Sequence, residues 1–140
     1  MLFSHLNFTW RVLGTGLGFV VFLGGGFLLA VLAFPAIDFL TRDTKLRRER
    51  HHVLIRWAFR LFIGVLTRLG IIAVRLEEIA ALSQSRGTIV VANHPSLIDV
   101  VLISAAIPRV QCIVKRELWS SPFLGPVMRA NGYIRADLEP

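Results

Sequence analysis

A single cysteine, Cys112, occurs in the 140 residues, which excludes an intrachain disulfide and fits a reducing compartment. Charge is missing altogether between Val12 and Ile37. A helix needs about 20 apolar residues to cross a bilayer, so this run is long enough to span even when tilted. It far exceeds the roughly 7–15 apolar residues of a secretory signal, and no A-x-A site follows it. The run therefore reads as a retained membrane segment. Acidic residues are also few, 9 against 16 Lys and Arg, leaving a net charge of +7. That charge does not point to nucleic acid. Arg42, Lys45, Arg47, Arg48 and Arg50 directly follow the apolar run, where juxtamembrane clusters meet anionic lipid, and no aromatic residues interleave them for base stacking. By the positive-inside rule that flank faces the cytoplasm, the membrane being the inner one in a bacterium.

Several chemical signatures are absent as well. The glycines between Gly14 and Gly26 lead to no Gly-Lys-Ser/Thr, which excludes a P-loop, and no G-x-S-x-G elbow marks a serine hydrolase. Zinc takes three or four protein ligands; His5, His51 and His52 all fall in the apolar and basic zones, so no metal site is expected.

What is present divides into three zones. Residues 1–40 form the membrane segment, in which Gly14 and Gly18 make a G-x-x-x-G that permits close helix packing; the same glycines would equally serve a helical hairpin. Residues 41–73 carry His52, Arg56, Arg60 and Arg68 at multiples of four, with Val53, Leu54, Trp57, Leu61, Phe62, Val65, Leu66 and Leu69 between them. This is an amphipathic helix with a narrow basic stripe, suited to a membrane interface with its arginines at headgroups, or else to packing on a soluble domain. Residues 74–140 have an α/β rhythm. Thr88–Ala92 reads as a buried strand, Ser96–Ile107 as a buried helix ended by Pro108, and Val110–Val114 as a second strand. A helix over Pro122–Ala130 and a strand beginning at Tyr133-Ile134 complete the opening of an α/β sheet.

Within that frame His94 falls in the turn between a strand's carboxyl end and the next helix, where open α/β sheets bind ligands. His94 and Asp99 would diverge by about 140° on one regular helix, so the histidine must precede it, with Asp99 in the first turn pointing back. A carboxylate on one ring nitrogen sets the tautomer and leaves the other nitrogen to accept a proton. The same residues have a plainer reading: Ser96 and Asp99 match a capping box, which starts a helix and needs no chemistry. The two readings are compatible.

Asn93-His94-Pro95-Ser96-Leu97-Ile98-Asp99 resembles the N-H-x-x-x-x-D block of the glycerolipid acyltransferase family, which includes lysophosphatidic acid and other lysophospholipid acyltransferases. Val114-Lys115-Arg116-Glu117-Leu118, followed by Pro122, Gly125 and Gly132-Tyr133-Ile134, is similar to that family's second region. The resemblance implies acyl transfer from acyl-coenzyme A or acyl carrier protein, as co-substrate rather than bound cofactor, to a hydroxyl of a lysophospholipid or lysophosphatidate. His94 would be the general base and Asp99 its orienting partner. Asn93, Ser96, Lys115, Arg116 and Arg135 are the implied substrate contacts, although each of the three basic residues reads equally as a solvated surface charge. Asp137 is followed by Leu138 where the family commonly has arginine, and no E-G-T-R-type block appears. A missing C-terminal half is therefore expected. A non-catalytic membrane-anchored fragment that binds lipid or a partner is the alternative.

Overall fold

The computed structural model describes residues 2–75, 87–93, 96 and 98–137. Helix α1 spans Leu2–Leu28, passes through a π-helical turn at Leu29–Ala33, and continues as α2, Phe34–Leu40. The turn has a local cause. Pro35 lacks an N–H and its ring crowds the carbonyl four residues earlier. The helix widens just before it, and the Phe34 N–H reaches back five residues to the Leu29 carbonyl. The chain thus stays helical from Leu2 to Leu40, and the glycines make no hairpin turn. Reversal occurs at residues 41–43 instead, where Thr41 leaves the helical region and Asp43 caps α3, Thr44–Arg68, by accepting from the Lys45 and Leu46 N–H groups at 2.8 and 3.1 Å.

Helix α3 returns antiparallel along α1 and α2. Trp10 Nε1 donates to the Leu69 carbonyl at 3.0 Å near one end. At the other, Asp38 Oδ1 lies 3.3 Å from His51 Nε2 and 3.6 Å from Arg47 Nε. Between them a Cβ on Gly14 would collide with Ile71, and one on Gly18 would meet Leu66 at 3.0 Å. The G-x-x-x-G pair therefore serves close packing within the chain. Phe22 reaches across to Phe62 and Phe59, with ring centroids 5.2 and 6.4 Å apart.

Helix α4, Ile98–Ala106, packs on α3 through Val101, Ala105 and Ile63, all buried. It ends before Pro108, as its sequence dictates, and Arg109 takes a left-handed φ of 58° to turn the chain. Strand β1, Ile113–Val114, helices α5, Arg116–Trp119, and α6, Gly125–Ala130, and strand β2, Ile134–Arg135, follow. The strands pair in parallel, Ile113 opposite Ile134, with the two short helices as the crossover that parallel pairing needs. Val114, Leu124, Met128 and Tyr133 form the core beneath them.

Two expectations are corrected. Thr88–Ala92 carries no strand, and Ile89 and Val91 are 88% and 89% exposed. A buried strand needs a neighbour to hydrogen-bond and cover on its faces, and among the described residues the sheet consists of β1 and β2 alone. The result is a mostly helical architecture with a small parallel sheet. The second concerns Arg56 and Arg60 of the basic stripe, which follow the packing alternative. Arg56 donates from Nε to the Ala105 carbonyl at 3.1 Å and from Nη2 to the Ala106 carbonyl at 3.0 Å, and Arg60 Nε donates to the Ala105 carbonyl at 3.0 Å. These arginines meet the carbonyl end of α4, not headgroups. Its orphan carbonyls and negative dipole attract them.

Candidate active site

The amino end of α4 is built as a cap. Asp99 Oδ2 accepts the Ser96 backbone N–H at 3.0 Å and the Ser96 hydroxyl at 3.4 Å, while the Asp99 N–H approaches the Ser96 carbonyl at 3.3 Å. This is the reciprocal half of a capping box, with the carboxylate reaching back before the helix. The carboxylate also sits at the positive end of the helix dipole, a favourable place for an acidic side chain in the first turn. His94 lies outside the described residues. Asn93 is exposed just before it.

A cavity of about 310 Å³ ends at this cap. Ser96, Ile98 and Val101 form one wall, Phe62 and Leu66 of α3 a second, and Gly18, Phe19 and Phe22 of α1 a third. Its lining is almost wholly apolar, so what it holds must be apolar too. Neither periodicity nor motif could have located it, because its walls come from three helices far apart in sequence. The bare backbone at Gly18 was the one available signal.

Deeper along α4 a polar cluster secures the helix. Ser104 Oγ and Tyr133 OH, both buried, share a hydrogen bond at 2.7 Å. Burial pushes the Tyr133 hydroxyl above its ordinary range, and the neighbouring Cys112 adds to that; burial likewise raises the Cys112 thiol. Neither group ionises readily, which suits structural roles. Asn131, also buried, lies close enough to Tyr133 and to His52 of α3 to influence the ionisation of both. Burial pulls His52 below its ordinary value, overriding the opposite influence of Asn131, and Arg48, Arg109 and His51 lower it further.

The basic candidates form a second group. Arg135 Nε donates to Asp137 Oδ1 at 2.8 Å, and Arg116 Nε lies 3.9 Å from Asp137 Oδ2. An anion binding here would therefore compete with Asp137 for Arg135. The Arg116 contact is long and exposed, and so weak. Lys115 is exposed at the start of α5. The carboxylate that holds Arg135 was legible in the sequence two residues away, yet its role as partner emerged only from the turn after β2.

Comparison with known proteins adds one positive result: the acyltransferase family model matches residues 73–139. No curated protein and no solved structure gives a significant match. The matched segment contains the Asp99 cap, the helix behind it and the two-stranded sheet, and over residues 73–139 the chain is thus matched to the acyltransferase family, in agreement with a glycerolipid acyltransferase.

Proposed function

We propose that this chain transfers an acyl group from acyl-coenzyme A or acyl carrier protein to the free hydroxyl of a lysophospholipid or lysophosphatidate at a membrane. The family match supports acyl transfer in general. The observation that carries the finer reading is the apolar cavity ending at Ser96 and Ile98, where a hydrocarbon chain would lie with its carbonyl towards the Asn93–Asp99 block. In the proposed step His94 accepts the proton of the lipid hydroxyl as its oxygen attacks the thioester carbonyl. The carbon–oxygen bond forms, the carbon–sulfur bond breaks, and the proton leaves with the thiol. Asp99 orients the imidazole and balances its positive charge while capping α4. The run Thr9–Leu40, long and apolar enough to cross a bilayer, and the basic residues after it would seat the site at a cytoplasmic face.

The test is transfer of labelled acyl groups to lysophospholipid in membranes carrying the chain. His94→Ala should lower the rate by roughly 10²–10⁴-fold, the usual worth of a general base. Asp99→Asn keeps an acceptor for the Ser96 N–H, so it should leave melting nearly unchanged and still slow transfer. Equal rates in wild type and both variants would remove the pair from the chemistry. Lipid binding without any transfer would instead favour the non-catalytic alternative.

A further inference from the structure

Two arginines of the α3 stripe, Arg56 and Arg60, have no place in the acyl-transfer step, yet both are committed to one structural task. Three guanidinium hydrogen bonds, at 3.0–3.1 Å, converge on the carbonyls of Ala105 and Ala106. Those residues are 0% and 1% exposed with the arginines in place, so removing the donors leaves two carbonyls that must find other partners. Helix α4 has nine residues, roughly 13 Å at 1.5 Å per residue, and is short enough to move as a rigid rod. Asp99 stands at its opposite end. The same two helices, α3 and α4, supply facing walls of the apolar cavity through Phe62, Leu66, Ile98 and Val101.

We propose that Arg56 and Arg60 are positioning residues: by gripping the carboxyl end of α4 they set where Asp99 stands and how wide the cavity is. The proposal rests on the acyltransferase reading for its consequence in rate, but not for the grip itself. Two guanidinium groups act side by side here because a planar fork presents several donors in fixed directions, and Arg56 reaches two successive carbonyls with one side chain. Lysine at this position keeps the charge and loses that bidentate reach.

The experiment uses the full chain in phosphatidylcholine–phosphatidylglycerol vesicles, with lysophosphatidate and labelled decanoyl- or palmitoyl-coenzyme A. In the double variant Arg56→Met, Arg60→Met the helical circular dichroism should persist while kcat falls about 10–100-fold, the order expected from a displacement near 1 Å. The ratio of decanoyl to palmitoyl transfer should shift, because the cavity wall has moved. Arg56→Lys should recover part of the rate. Amide hydrogen exchange at Val101–Ala106 should speed up by about tenfold or more as the helix end is released. Unchanged exchange in α4 overturns the grip. Faster exchange with wild-type kcat and chain ratio overturns the positioning role. Absence of transfer by the wild-type chain overturns the acyltransferase reading and leaves exchange to decide the grip. Should the double variant fail to fold, Arg60→Met alone, which removes one of the three bonds, is read in the same way.

Discussion

Among the described residues, His52 is the histidine whose ionisation the fold perturbs. Its ordinary value is 6.5, and in the folded chain burial, then its cationic neighbours, lower it. The unfolded chain therefore takes up a proton near pH 6.5 while the folded chain still resists. The stability His52 contributes is fully present above 6.5 and is lost as pH falls from there to the lower folded value. The melting midpoint should accordingly drop as pH falls below 6.5, and less so in His52→Gln, which keeps a polar side chain beside Asn131 without a titrating group. Identical slopes in the two proteins would assign the acid sensitivity elsewhere. The stripe spacing singled out His52 from His51, but the lowering of its ionisation depends on burial and on Arg109, which approaches from a distant loop. Asp99, by contrast, was legible. The spacing Ser96 to Asp99 predicts a cap, and the 3.0 Å bond to the Ser96 N–H is that cap.

Among the elements, α1 and α3 show how a helical stripe acquires its meaning from its neighbour. Gly14 and Gly18 permit close approach wherever they occur, but their partners, Ile71 and Leu66, follow from the reversal at residues 41–43. Gly18 also floors the cavity. Gly18→Leu should therefore press α1 away from α3 at an overpacking cost of about 1–3 kcal/mol and shorten the cavity. Palmitoyl transfer should fall more than decanoyl transfer in that variant. Gly16→Leu is the control, since a Cβ there meets nothing within 4 Å. A uniform loss for both chain lengths would sever the link between Gly18 and the cavity. Helix α4 was foreseen within two residues at each end, because an apolar run between Ser96 and Pro108 has few alternatives. The Thr88–Ala92 strand was not found, since β-branched composition supplies propensity while pairing requires a neighbour.

Taken whole, the molecule presents a long apolar flank. Leu13, Leu17, Phe19, Val20, Leu28 and Leu32 are all more than half exposed along α1 and the turn after it, as are Val53 and Trp57 on α3. So much apolar surface left in water is costly, at roughly 25 cal/mol per Å². Bilayer hydrocarbon would remove that cost, and the basic residues from Arg42 to Arg50 would meet anionic headgroups. The chain should stay with membranes through an alkaline carbonate wash. Val20→Arg together with Leu17→Arg should weaken that retention, each charge costing about 2.5–3.5 kcal/mol in mid-bilayer. Release of the wild-type chain by the wash would show that α1 covers its apolar flank with protein instead.

The order of zones, the apolar helix, the cap at Ser96 and Asp99, the break at Pro108 and the acyltransferase resemblance were all determined by the sequence, because each depends on neighbours a few residues apart or on short-range backbone rules. Tertiary structure decided the rest. It turned Arg56 and Arg60 towards the carbonyls of Ala105 and Ala106, set Asn131 beside both His52 and Tyr133, gave Arg135 to Asp137, and formed an open cavity between three helices. Those outcomes depend on which buried polar groups and apolar faces meet when distant segments pack together, and a linear pattern carries the demand for a partner without naming it.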